Sequence, residues 1–152
     1  MERQELIEKK AQRLRETLGF DENVTKISYA ELKNSFISRY KNILIKEDLN
    51  NEENSVESAV TVTDDKFVLH VNKSNSSNKK VSLLMAIYYL DDFCSKTTET
   101  EAPMQFAVSF LIPELLLLRK VVKEEPGFEE LSEDFDLSKD IIISRFETLG
   151  II

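Results

Sequence analysis

The chain has 152 residues, of which 41% are hydrophobic and 32% charged, so it is long enough to bury a hydrophobic core. Its 28 acidic and 20 basic residues give a net charge of −8, which argues against general nucleic-acid affinity because phosphate backbones are repelled. One cysteine and one histidine exclude an internal disulfide and a metal site built mainly from His and Cys, and we expect a cytoplasmic protein without a membrane span.

The N-terminal part is predicted to form two helices. Residues 2–18 repeat apolar side chains at spacings of three and four, and Gly19 stands where a left-handed residue would end the helix. A second helix is predicted to begin near Ser28, because Ser28 and Glu31 match a capping box. Its apolar face continues to Leu44.

Two β-rich segments follow a polar stretch. Residues 46–57 are almost entirely polar and predict an exposed loop. Residues 59–63 and 67–71 are rich in β-branched and aromatic side chains, and residues 64–66 between them predict a three-residue hairpin loop. A second polar loop is expected at residues 73–79.

The rest of the chain is predicted to be helical. Residues 80–95 are apolar around much of the helix circumference, which favours a central position. The leucine-rich run 115–118 is interpreted as core, although part of it is also suited to a partner groove. Further helices are predicted to begin at Pro103 and at Pro113, and to lie around 128–135 and 139–148.

These elements predict an α+β fold that is mostly helical. It has a small antiparallel β-sheet, formed by a hairpin near residues 58–72, and a C-terminal helical pair. Residues 1–152 are expected to form a single domain. Its N-terminal helices are expected at residues 1–45, its core at residues 58–123 and a C-terminal helical segment at residues 128–152.

Three stretches, taken in order, share a pattern with a known family. Residues 69–72 end an apolar strand in asparagine, and a helix over 81–90 follows after a polar loop. Residues 102–113 read A-P-M-Q-F-A-V-S-F-L-I-P, and residues 131–152 contain L-S-E-D-F-D-L-S and R-F-E-T-L-G-I-I. Over about residues 58–152 the chain resembles the ImmA/IrrE metallopeptidase family, which implies a zincin-like core.

The zinc motif of that family is altered in this chain. In H-E-x-x-H, two histidines one helical turn apart bind zinc and the glutamate acts as general base. Aligned on the resemblance, Met85 and Tyr89 stand at the histidine positions, Ala86 at the glutamate position and Ala102 at the position of the third ligand. Because none of these residues is an ordinary zinc ligand, the resemblance implies a pseudo-peptidase without metal, cofactor or catalytic activity.

The resemblance also implies a kind of partner. ImmA/IrrE proteins are bacterial, are often carried by phages or mobile elements, and cleave helix-turn-helix repressors. We expect this chain to bind such a repressor as a regulatory module, without touching nucleic acid or a membrane, and its acidic C-terminal third suits a basic partner. Candidate partner-binding residues flank the former cleft; they are Tyr88, Tyr89, Lys79, Lys80, Glu99 and Glu101.

Two alternatives remain open at this point. One is a metal-dependent peptidase or hydrolase whose metal site has moved, although a lone strand histidine and a pair of aspartates at a helix end are more often surface residues. The residues that would have to converge are His70, Asp91, Asp92, Cys94, Glu99 and Glu101. The other alternative is a purely structural role in a larger assembly, which the sequence does not separate from the binding role.

Overall fold

The computed structural model describes residues 2–21, 23–49, 56–91 and 101–151. Within these ranges the chain forms seven helices and a three-stranded mixed sheet, which confirms the predicted α+β, mostly helical fold. The elements in chain order are α1 (Glu2–Thr17), α2 (Tyr29–Arg39), β1 (Ile43–Leu49), β2 (Ser58–Thr63), β3 (Lys66–Asn72), α3 (Ser76–Asp91), α4 (Glu101–Leu111), α5 (Glu114–Glu124), α6 (Phe128–Phe135) and α7 (Lys139–Thr148).

Chain contacts divide the protein into two compact units. Unit 1 comprises Met1–Ile27 and Val108–Ile152, and unit 2 comprises Ser28–Ala107. Unit 2 therefore contains the sheet with α2 and α3, whereas unit 1 contains α1 and α5 to α7; α4 begins in unit 2 and ends in unit 1. The expectation of a single domain stays a prediction.

The start of α2 is fixed by the predicted capping box. The Ser28 hydroxyl accepts a hydrogen bond from the Glu31 amide at 3.1 Å, and the Glu31 carboxylate accepts one from the Ser28 amide at 3.3 Å. The helix ends at Arg39 and not at Leu44, because Tyr40 adopts an extended conformation and leads the chain into β1.

Strand β1 occupies part of the predicted polar loop and corrects the predicted sheet. It pairs in parallel with β3, and β3 pairs antiparallel with β2, so the sheet is mixed and not purely antiparallel. Of its residues only Ile45 is buried, while Lys46, Glu47 and Asp48 are exposed, which explains the loop-like sequence. The parallel pairing brings Ile43 opposite Phe67, a distant partner that a local pattern cannot indicate.

The predicted hairpin is present, but its loop has two residues and not three. Asp64 and Asp65 have φ angles of 46° and 65°, and Thr63 pairs directly with Lys66. Two successive positive φ angles are typical of the type I′ turn, whose twist matches the twist of the flanking strands. Aspartate tolerates this left-handed conformation better than most residues do.

Helix α3 starts earlier than predicted and forms the centre of unit 2. The Asn75 side chain caps it by accepting a hydrogen bond from the Asn78 amide at 2.9 Å, so part of the predicted polar loop is helical. The helix packs against β2 and β3, and Leu83, Leu84 and Ile87 are fully buried, as expected of a central helix. Even so, no helix in the described ranges combines the length and apolar character needed to cross a bilayer.

The two helices of the tail form as predicted within unit 1. A left-handed residue, Asp136, ends α6 with a φ of 54°, and the Ser132 hydroxyl donates a hydrogen bond to the Leu137 carbonyl. The rings of Phe128 and Phe146 lie 5.1 Å apart in an edge-to-face arrangement. These contacts stabilise the turn between α6 and α7.

Candidate functional site

The altered motif lies in the interior of unit 2. Met85 and Ala86 on α3 are 3% and 0% exposed, and Ala102 on α4 is 4% exposed, while Tyr89 is half-buried. Met85 and Tyr89 are four residues apart, so both lie on one side of the helix. Zinc sites in proteins use His, Cys and carboxylate ligands, and these four residues do not fit such a site.

Two tyrosines give this part of α3 an aromatic surface. The ring of Tyr88 lies 5.3 Å from that of Phe106 on α4, with an angle of 48° between the rings. Both tyrosines are half-buried, and burial raises the pKa of Tyr89, so the neutral phenol is favoured. The pair can therefore offer an apolar face and hydrogen-bonding hydroxyl groups to a partner.

The two candidate lysines at the start of α3 differ in position. Lys80 is 0% exposed, so it is not the surface contact that the sequence predicted. Because α3 begins at Ser76, position 80 lies inside the helix and not in a loop. Lys80 is buried there together with its neighbour Val81. Lys79 is partly exposed, and its ammonium group lies 5.6 Å from the centre of the Tyr29 ring.

Several other candidates lie outside the description. Asp92, Cys94 and Glu99 are not among the described residues, and the side chains of Asp91 and Glu101 are not described either. In the described part of the chain, no three residues of the types His, Cys, Asp and Glu are grouped closely enough to hold a metal ion. The relocated metal site is therefore still an untested alternative.

His70 belongs to a hydrogen-bonded cluster that the sequence does not indicate. Its Nε2 lies 2.8 Å from the Thr61 hydroxyl on β2, and its Nδ1 lies 3.0 Å from both carboxylate oxygens of Asp48 on β1. Directly opposite His70 are Lys46 on β1 and Ala59 on β2, so the two partners are its diagonal neighbours across the sheet.

The order hydroxyl, imidazole and carboxylate in this cluster is also that of nucleophilic hydrolases. Thr61 and Asp48 are exposed, however, so the cluster lies at the sheet surface, where water screens its electrostatic interactions. We interpret it as a polar network that fixes the register of the three strands. The sequence does not indicate this network, because Asp48 lies in a segment predicted to be a loop.

A second feature is the acidic surface of unit 1. Residues 124–140 contain eight acids and one base. The exposed acids, which we call the acidic surface, are Glu124, Glu125, Glu129, Glu130, Glu133, Asp136 and Asp140. Two neighbouring lysines compensate part of this charge. Lys139 donates to Glu129 at 2.8 Å, which lowers the pKa of that carboxyl. Lys120 donates to the remaining acid, Asp134, at 3.3 Å and lies 3.9 Å from Glu124.

No protein-family model matches the chain, and no curated protein matches it. Among solved structures, the chain is similar to a Mycobacterium tuberculosis transcriptional regulator, with a TM-score of 0.61 and 16% sequence identity. The match covers 92% of this chain and 46% of that one, so the chain spans about half the length of the regulator. At this identity the similarity extends to the fold alone.

Proposed function

We propose that the chain is a catalytically inactive ImmA/IrrE-like module that regulates transcription by binding a protein. The proposed partner is a helix-turn-helix repressor of a phage or mobile element. The observation that carries the proposal is the identity and burial of Met85 and Ala86. They stand where the resemblance expects a zinc ligand and the general base, and neither side chain can perform that task.

The acidic surface supports a basic partner. Opposite potentials on two proteins steer their encounter and suppress association with wrong partners. The seven exposed carboxylates lie on one short segment that includes α6 and its two flanking turns, and described ion pairs join two of them, Glu124 and Glu129, to lysines. DNA-binding repressors carry basic surfaces, so their charge complements this segment.

The tyrosines of α3 supply a second type of contact. Tyrosine is enriched among the residues that dominate binding energies at protein interfaces. Tyr88 is held against Phe106, so part of its conformational entropy is already lost before binding. The shared fold with part of a transcriptional regulator also favours a role in transcription.

Binding to the repressor encoded beside the gene tests the proposal. We expect a stable complex in size-exclusion chromatography and a saturable isotherm in calorimetry, with affinity falling as salt rises. Replacing Glu130 and Glu133 by lysine reverses charge within the acidic surface and is expected to slow association roughly tenfold. Replacing the exposed Glu5 and Glu147 by lysine is the matched control, since it changes the net charge equally.

Two outcomes would contradict the proposal. The first is the absence of a complex at protein concentrations up to about 100 μM, where even weak specific pairs associate. The second is an equal loss of association rate in both double variants, which would show a response to net charge and not to the acidic surface.

A further inference from the structure

Unit 1 contains a cavity of about 270 Å³ between α1 and α5. Part of its wall is apolar and is formed by Phe20, Pro113, Leu115 and Leu116. Leu115 is 63% exposed, so much of its apolar surface is in contact with solvent. The volume lies just below the range of pockets for drug-sized ligands, so it suits a small molecule.

Arg15 lines the same cavity and is only 3% exposed. Its guanidinium donates hydrogen bonds to the backbone carbonyls of Phe110 at 2.7 Å, Val24 at 2.8 Å and Asp21 at 3.1 Å. Carbonyl groups satisfy donors but carry no net charge. Burial lowers the pKa of Arg15 to about 10, an effect that the nearby carboxylate of Asp21 only partly opposes.

The other buried arginine described in unit 1 shows what Arg15 lacks. Arg145 is 1% exposed, and its guanidinium is neutralised by the carboxylate of Glu8 through two hydrogen bonds. No described carboxylate forms an ion pair with Arg15. Because a buried charge without a counter-ion is costly, Arg15 provides a free-energy gain to an anion that enters the cavity.

The remaining charges at the cavity balance one another once Glu8, which also lines it, is counted with its ion-pair partner Arg145. Lys9 and Arg119 contribute positive charge at the exposed rim, and Glu16 and Glu114 contribute negative charge there. The preference for an anion therefore depends on Arg15, whose position in the interior makes its field less screened than that of the rim.

We propose that this cavity binds a small organic carboxylate, whose charged group balances Arg15 and whose apolar body covers Leu115. The apolar part of the wall favours an apolar body, and the buried cation favours a carboxylate. None of the residues that line the cavity belongs to the acidic surface, and the proposal does not depend on the proposed function.

Octanoate and its neutral counterpart octanol test the proposal by calorimetry on the full chain at neutral pH. We expect octanoate to bind at one site with a Kd below about 1 mM, and octanol to bind at least roughly tenfold more weakly. Equal affinity for the two ligands would overturn the role of Arg15. No saturation by octanoate would overturn the site itself.

Two exposed positions of α5 provide matched variants. Leu115→Asp places a repelling charge at the cavity and is expected to weaken octanoate binding at least roughly tenfold. Val122→Asp makes the same kind of change on the same helix, away from the cavity, at a residue that is 78% exposed, and is expected to leave binding unchanged. Because both side chains are exposed, both variants should fold, and equal loss of affinity in the two would overturn the proposal.

Discussion

The carboxylate of Glu8 and the guanidinium of Arg145 form a bidentate ion pair that joins α1 to α7 within unit 1. The Nη2 atom of Arg145 donates to Glu8 Oε2 at 3.0 Å, and its Nη1 donates to the other carboxylate oxygen. Its Nε donates to the Ile112 carbonyl at 2.9 Å, so one guanidinium also binds the chain directly before α5. The buried guanidinium of Arg145 thus links α1 and α7, which are distant in the sequence.

Removing the carboxylate of this pair should destabilise the protein strongly. Glu8→Gln keeps the size of the side chain but leaves a buried guanidinium without its counter-ion, and we expect a loss of about 3 kcal/mol in the free energy of unfolding. Urea unfolding at neutral pH measures this loss. Glu5→Gln, at an exposed position of the same helix, is the control and should change stability little; a similar effect in both variants would contradict the assigned role.

Removing the hydroxyl of Tyr29 should stabilise the protein. This hydroxyl is buried beside Glu47 but makes no hydrogen bond of regular geometry to any described residue. A buried polar group without a partner costs free energy, so Tyr29→Phe is expected to raise the free energy of unfolding by about 1 kcal/mol. A loss of stability in urea unfolding would show that the hydroxyl contributes a favourable interaction.

Tyr29 should also make the stability of the protein depend on pH in the alkaline range. Burial, and secondarily the carboxylate of Glu47, raises the pKa of Tyr29, and burial raises that of Tyr89. The folded state therefore retains phenol protons that the unfolded state releases near its ordinary pKa of about 10. The protonated phenols therefore make their full contribution to the free energy of unfolding below about pH 10, and this contribution is lost as the pH rises above that value.

Urea unfolding at a series of pH values from about 8 to 11 measures this loss. In Tyr29→Phe the decline of stability above about pH 10 should be shallower than in the unmodified protein, because one of the two titrating groups is gone. Identical declines in the two proteins would mean that Tyr29 titrates alike in the folded and unfolded states.

The cluster around His70 should contribute modestly to the sheet. Thr61→Val removes the hydroxyl that lies 2.8 Å from the imidazole, and we expect a loss of about 0.5 kcal/mol, typical of an exposed cross-strand pair. Thr63→Val, two residues along the same strand, is the control and should not destabilise. If both substitutions have the same effect in urea unfolding, the contact with His70 adds nothing.

Restoring the family's motif tests the resemblance itself. A variant with Met85→His, Ala86→Glu, Tyr89→His and Ala102→Glu is expected to bind Zn²⁺ and to gain thermal stability on adding it. The same variant without Tyr89→His is the control, which should bind at least roughly tenfold more weakly. If the complete variant keeps its helical content in circular dichroism but binds no zinc, the three ligand positions do not converge, which would count against the alignment.

Local signals in the sequence predicted the local parts of the fold. The capping box of Ser28 and Glu31 and the two tail helices are examples, because their hydrogen bonds join residues close in sequence. Strand β1 could not be predicted in this way. Its ladder pairs it with β3, and most of its side chains are exposed, so no alternation of apolar residues marks it.

The candidate site itself stays a prediction. The resemblance points to Met85 and Ala86, and the structure adds that both side chains are buried. The sequence predicts an exposed Lys80 because it adjoins a polar run, whereas in the structure it lies inside α3 on a buried face. The absence of a described ion pair at the buried Arg15 is not visible in the sequence either, since it depends on which distant groups the fold brings together.

The central claim is that this chain binds a repressor without cleaving it. The most direct measurement is the intact mass of the repressor encoded beside the gene, recorded after incubation with the chain and Zn²⁺ and after co-elution on a sizing column. We expect a complex in which the repressor keeps its full mass. Repressor fragments that form only when the chain is present would contradict it.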